Sequence, residues 1–222
     1  MMTKRLKRQI RSFYSLCNDW KEVVSEWQTA EQVIIPILRE IGWPDAQCEA
    51  QDITLIRTGA SKDFDLLYID RSSKKIYMGI ECKRIGTKRS NKKKVASVAD
   101  KKTSPSNDSH SEQIIRYRTE SNFVTEHDFI FAEKAKLVWT NGEDWIVFKD
   151  AALNRPNGQQ KRQEISNLFA KGKGDHYGDY FTAFRFPKKE EKTWDEQFAK
   201  LSDELEPGKL LPRRNNDNNT RS

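Results

Sequence analysis

The stretch Met78-Gly-Ile-Glu-Cys-Lys-Arg-Ile-Gly86 decides how this chain is read. An apolar run from Ile76 to Ile80 leads straight into an acid, a thiol and an amine. The run is apolar at consecutive positions, the pattern of a strand covered on both faces at the centre of a sheet. Side chains alternate along a strand, so Glu81 and Lys83 share one face and Cys82 points to the other. Upstream, Asp65-Leu-Leu-Tyr-Ile69 reads as a second strand and Asp70-Arg-Ser-Ser-Lys-Lys75 as the turn of a hairpin. A turn centred on Ser73 sets residue 65 opposite residue 81. A slip of one place would put the two carboxylates on opposite faces.

Two carboxylates a few ångströms apart repel, and in a partly dry site one of them protonates. A divalent cation relieves that. Oxygen ligands with open positions suit Mg²⁺, with Mn²⁺ as the alternative; Mg²⁺ keeps several waters beside one or two carboxylates and a substrate phosphate. Such an ion polarises a phosphoryl oxygen and acidifies water. A neighbouring lysine orients that water and offsets charge on the phosphorus. These parts together hydrolyse a phosphodiester. An exposed ion pair at a strand end is the plain structural alternative for Glu81 and Lys83.

Working outward, Leu6, Ile10, Phe13, Cys17, Trp20, Val24 and Trp27 recur every three or four residues and predict one basic amphipathic helix over residues 1–28. Thr29–Trp43 predicts a second helix, with Pro36 as a kink or late start and Gly42 as its stop. Further strands are expected at Ile53–Arg57, Lys136–Thr140 and Trp145–Phe148, the last two joined by the turn Asn141-Gly-Glu-Asp144. Residues 87–111 read as a long, basic, flexible loop, and Ser111–Glu120 as a short helix. Residues 151–205 read as an extension packed on the core. In it, Gln163–Ala170 looks helical and Tyr180–Phe186 extended. A helix at Thr193–Leu205 begins with a Thr-x-x-Glu capping box. Residues 206–222 read as a loose tail.

The charge is uneven. Of the net +7, much sits in Lys4, Arg5, Lys7, Arg8 and Arg11, and in Arg84, Lys88, Arg89, Lys92, Lys93, Lys94, Lys101 and Lys102. That field favours a polyanion, most often nucleic acid. The second cluster follows Lys83 directly, where a phosphate backbone would lie. Three cysteines, Cys17, Cys48 and Cys82, fit neither a disulfide framework nor a zinc site, so a reducing, cytoplasmic setting is expected. No apolar run approaches the ~20 residues of a membrane span. His110, His127 and His176 are scattered and form no ligand pattern.

These residues resemble the PD-(D/E)xK nuclease superfamily, and most closely the N-terminal nuclease domain of type I restriction enzyme R subunits. Four motifs carry the resemblance: Glu31–Trp43 with Pro36, the pair Asp63–Ile69 and Ile80–Gly86, Gln113-x-x-x-Tyr117, and Leu137–Phe148 with its Thr-Asn-Gly-x-x-Trp hairpin. They span residues 30–149. The resemblance implies a restriction-endonuclease-like α/β fold, a mixed central sheet flanked by helices, in a nuclease-like core at 29–150 with helical additions at both termini. It implies Asp65 and Glu81 as Mg²⁺ ligands, Glu31 completing the site, and Lys83 serving the attacking water. Gln113 and Tyr117 would contact DNA or the metal site, and their spacing of four independently places them on one helical face.

Phe64 stands where the family has proline, and Asp63 offers a competing carboxylate. No Gly-x-x-x-x-Gly-Lys-Ser/Thr phosphate loop is present, so neither a motor nor a nucleotide cofactor is expected. The expected function is a Mg²⁺-dependent DNA endonuclease acting alone, as a homodimer or in a larger restriction or defence complex. The rivals are an inactive DNA-binding module and a subunit that docks onto a restriction, repair or defence assembly.

Overall fold

A computed structural model describes residues 1–19, 24–44, 53–58, 63–85, 114, 116–118, 120–148, 181–187 and 190–211. Its centre is the hairpin of β2 (Leu66–Asp70) and β3 (Lys75–Cys82). Four hydrogen bonds from the backbone and hydroxyls of Ser72 and Ser73 to the Asp70 carboxylate shape its turn. Asp70 pairs with Lys75 and Ile69 with Ile76, so the turn is centred between Ser72 and Ser73, not on Ser73. Continued unchanged, that register would set Asp65 against Ile80. It changes: Tyr68 pairs with Met78, and Leu66 with Ile80. Tyr77 is the extra residue of a β-bulge, and the resulting shift brings Asp65 opposite Glu81.

Six strands form one mixed sheet in the order β1-β2-β3-β4-β5-β6, with β1 at Ile53–Arg57, β4 at Ile130–Thr140, β5 at Asp144–Phe148 and β6 at Phe181–Arg185. β3 and β4 are parallel, and every other neighbouring pair is antiparallel. Hence β3 is interior, as its apolar run predicts. The turn between β4 and β5 follows from Asn141, whose side-chain oxygen accepts from the Glu143 and Asp144 amides at 3.0 and 2.7 Å. Gly142 there has φ 84°, and a Cβ would stand 3.1 Å from Val33 Cγ1.

Each face of the sheet has its own core. Leu66, Tyr68, Met78, Ile80, Cys82, Trp145 and Val147 pack with the helices at both ends of the chain. Phe64, Leu67, Ile69, Leu137, Trp139, Ile146 and Phe148 pack on the other face with Ile114, Tyr117 and Phe129. Ile114 and Tyr117 reach this core from α-helical residues at 114, 116–118 and 120, which are followed by α4 (Asn122–Thr125).

The first predicted helix is two elements. α1 (Lys4–Asp19) buries Leu6, Ile10, Phe13 and Cys17. α2 (Glu26–Thr29) starts afresh at Ser25, whose hydroxyl accepts from Gln28 N while the Gln28 side chain accepts from Ser25 N. This capping box closes off a new N-terminus, so Trp27 leaves the stripe and is 48% exposed. A π-helical turn, Ala30–Ile34, then leads into α3 (Ile35–Ile41). The wider turn lets Ile35 N donate five residues back to Ala30 O and carries the chain past Pro36.

At the other end, α5 (Trp194–Leu205) buries Trp194, Phe198, Leu201 and Leu205 as expected. Its capping box does not form: a 3₁₀ turn, Glu191–Thr193, precedes it, and the Thr193 hydroxyl donates to Glu190 O. Residues 206–211 belong to the packed structure, since α6 (Pro207–Leu210) buries Leu210 in the first core. α1 is joined to α5 by Lys7–Asp195 at 2.6 Å and to the 3₁₀ turn before it by Arg11–Glu191 at 2.5 Å. Two cations of the basic N-terminus are therefore spent inside the molecule. The loop at 87–111, the helix at 163–170 and the tail from 212 lie outside the described residues. Among the described residues, no helix is long and apolar enough to cross a membrane.

Candidate active site

The site forms where β2 begins and β3 ends. Glu81 is 3% exposed, held in the interior strand by neighbours on both sides. Lys83 N donates to Thr140 O at 2.7 Å, which extends the β3–β4 pairing one step and fixes the lysine backbone. The Lys83 ammonium lies 2.5 Å from Glu81 Oε1. Asp65 Oδ2 accepts from the Cys82 amide at 2.6 Å, tying the acid to the strand that carries Glu81. Asp65, Glu81 and Lys83 thus come together on one sheet face. Cys82 is a buried free thiol on the opposite face, as is Cys17 in α1; Cys48 lies outside the described residues.

The electrostatics follow from burial. Burial pushes the Glu81 carboxyl up to about 7, with Lys83 opposing and Asp65 adding to the rise. Burial also raises Asp65, against the pull of Lys83 and the Cys82 amide. For Lys83, burial favours the neutral amine, but Glu81, Glu26 and Asp65 outweigh it and hold the pKa above that of an ordinary lysine. The cluster is therefore short of positive charge: one ammonium faces the buried Glu81, the half-buried Asp65 and a third acid, Glu26, at 3.7 Å. A divalent cation fits that deficit. Among the described residues, no group of three or more His, Cys, Asp or Glu side chains converges as a metal cage. Protein ligation would rest on the two carboxylates, with water and substrate oxygen completing the shell.

Other expected residues fall differently. Glu31 forms an ion pair with Arg57 at 2.7 Å, and Arg57 also lies over the Trp27 ring. The helix acid beside Lys83 is Glu26. It sits there because α2 crosses the end of β3, where Ile85 N donates to Thr29 Oγ1 at 3.1 Å. Asp63 is buried, and its carboxylate accepts from Phe123 N at 3.4 Å, in the first turn of α4. Phe64 packs edge-on to Tyr117, ring centres 5.4 Å apart, and Tyr117 is 4% exposed. Arg84 is exposed beside the site. Gln113, Lys88, Arg89, Lys92, Lys93 and Lys94 lie outside the described residues.

A cavity of about 380 Å³ opens at the turn end of the hairpin, lined by Ile56, Ile69, Arg71, Lys74, Phe123, His127 and Phe129. It contains no carboxylate, and Ile69 is four residues, roughly 13 Å, from Asp65 along the strand. It is a separate feature from the acidic cluster.

Sequence reading missed Glu26 and a further buried acid, Asp144. Ser25-Glu-Trp-Gln28 carries a readable capping signal that would have started a helix there and placed Glu26 in its first turn. Asp144 gave no signal beyond its turn, because its partner Arg185 is brought to it by β6. Compared with known proteins, the chain matches no family model, no curated protein and no solved structure.

Proposed function

We propose that this protein is a Mg²⁺-dependent DNA endonuclease, built on a restriction-endonuclease-like version of its mixed α/β sheet. The observation that carries the reading is the bulged hairpin, which sets Asp65 opposite Glu81 with Lys83 on the same face. The net charge of +7 supports a polyanionic substrate.

In this reading Asp65 and Glu81 hold the metal ion. When bound, it supplies Lewis-acid polarisation of the scissile phosphate and a more acidic water. Lys83 stays protonated among its carboxylates, so it cannot take a proton from water. It acts as a hydrogen-bond donor that orients the nucleophile and offsets charge building on phosphate oxygens. Glu26 steadies Lys83 from α2. Phe64, wedged against Tyr117, holds the backbone that presents Asp65. Arg84 extends the positive surface along the departing strand.

Plasmid nicking with Mg²⁺ tests the proposal. The wild type is expected to convert supercoiled DNA to nicked or linear forms, and Glu81→Ala and Lys83→Ala to lose at least a hundredfold of that rate, on the order of a lost electrostatic or acid–base contribution. Equal activity in all three would remove it. Salt-sensitive DNA binding without cutting under Mg²⁺ or Mn²⁺ would leave a binding module instead.

A further inference from the structure

The buried acid Asp144 points to a further contact. Asp144 opens β5 and is 2% exposed; Arg185 closes β6, and the two are cross-strand partners. Their neighbours Trp145 and Phe184 belong to the first core, so Asp144 and Arg185 face the other way, to the side that carries Asp65, Glu81 and Lys83. Both lie at the same end of the sheet as the acidic cluster, because Cys82 pairs with Thr140 and Thr140 with Trp145. From β3 to β6 is three strand spacings, about 14 Å.

The pairing is asymmetric. Arg185 Nε lies 3.0 Å from Asp144 Oδ1; the acid is 3% exposed while the arginine side chain is 54% exposed. The buried carboxylate attracts the guanidinium through charge, since Asp144 Oδ1 accepts no hydrogen bond, and no described residue forms an ion pair with the terminal amino groups. A guanidinium held near a buried charge yet half exposed keeps donors available for bidentate contact with an anion.

We propose that Arg185 is a second backbone-phosphate contact for the nucleic acid, with Asp144 as the residue that positions it. This rests on the nuclease reading and adds to it a line of approach. The strand enters over Lys83 and Arg84 and runs across the sheet end to β6. Asp144 needs burial for this role, since an exposed carboxylate would itself repel phosphate.

The test is binding of the full chain to a fluorescent duplex in Ca²⁺, across a salt series, alongside plasmid nicking by the wild type. Arg185→Gln is expected to weaken binding about five- to tenfold and to reduce the slope of log K against log salt by about one. Because Arg185→Gln leaves a buried acid without its partner, the double variant Asp144→Asn/Arg185→Gln is measured beside it and should show the same loss. Asp144→Ala alone keeps the arginine's own charge but removes every side-chain oxygen beside it, so affinity should fall with the slope unchanged. Lys200→Gln, on α5, controls for net charge and should change neither quantity. Wild-type affinity and slope in both Arg185 variants would overturn the inference while leaving the nuclease reading intact. So would an equal loss in Lys200→Gln. A wild type that neither binds nor nicks DNA would overturn both.

Discussion

The Asp65 carboxylate accepts a 2.6 Å hydrogen bond from the backbone amide of Cys82. One acid of the cluster is therefore locked to the residue between the other acid and the lysine. Neutral variants at position 65 can keep that bond, because an amide oxygen also accepts. Structure and charge can thus be separated at this position.

Divalent-ion stabilisation should depend on the charge. At a concentration 100 times its dissociation constant, a ligand binding only the folded state adds about 2.7 kcal/mol. Mn²⁺ or Mg²⁺ is expected to raise the melting temperature of the wild type by several degrees. Asp65→Asn should fold with metal-free stability within about 1 kcal/mol of wild type and show no such rise. Differential scanning fluorimetry with and without metal reads both.

Stability should fall with pH in the metal-free protein. Burial raises Asp144 from 3.8 to about 7, with Arg185 opposing, and raises Glu81 from 4.5 to about 7. Between those values the folded state holds more protons than the unfolded chain, so stability decreases as pH rises. The contribution is complete below about pH 4 and is lost by the time pH passes about 7. Urea unfolding at pH 5 and pH 8 should show the lower stability at pH 8, and Asp144→Asn should reduce the difference. A flat or rising profile would contradict the buried-acid account.

Gly79 couples packing to the site. A Cβ there would stand 2.9 Å from the Phe64 ring, inside contact distance, and Phe64 directly precedes Asp65. Gly79→Ala should cost about 1–3 kcal/mol, the usual range for overpacking. It should also lower nicking more than a surface alanine of equal stability cost, because the displaced ring moves the Asp65 backbone. Comparing unfolding free energy with nicking rate separates the two effects.

Two helix acids can be ranked. Glu26 is 3.7 Å from Lys83, whereas Glu31 is engaged with Arg57. Glu26→Gln is expected to change nicking rate and its Mg²⁺ dependence severalfold. Glu31→Gln should act mainly on stability, by less than about 1 kcal/mol, as for a half-exposed ion pair. A larger catalytic effect at Glu31 would return it to the site.

Much of the sheet was legible because alternation and apolar runs are local. Ile53–Arg57 forms as read, the strands expected at 65–69 and 76–80 form one place later and longer as Leu66–Asp70 and Lys75–Cys82, and the interior place of β3 follows its apolar run. The convergence of Asp65 and Glu81 was legible only in outline. The expected turn centre was half a residue off, and Tyr77 made up the difference. Bulging at Tyr77 coincides with a shift in the β3–β4 pairing, from Ile76 opposite Phe131 to Met78 opposite Lys136. A strand's register against one neighbour is thus bound up with its fit to the other, which no short window of sequence contains.

The sequence by itself determined which side chains share a strand face, because alternation is a property of the backbone. It also determined that Cys82 is excluded from the site and that a charged cluster follows β3. Only the tertiary structure decided that Glu26 rather than Glu31 meets Lys83, and that Lys7 and Arg11 pair with α5 and the 3₁₀ turn before it. It alone joined Asp144 to Arg185. Those contacts link residues from 41 to 188 positions apart in most cases, where chain connectivity says nothing about direction. Packing against a common sheet brings them together, and burial then raises the pKa of the acids it covers most, Glu81 and Asp144.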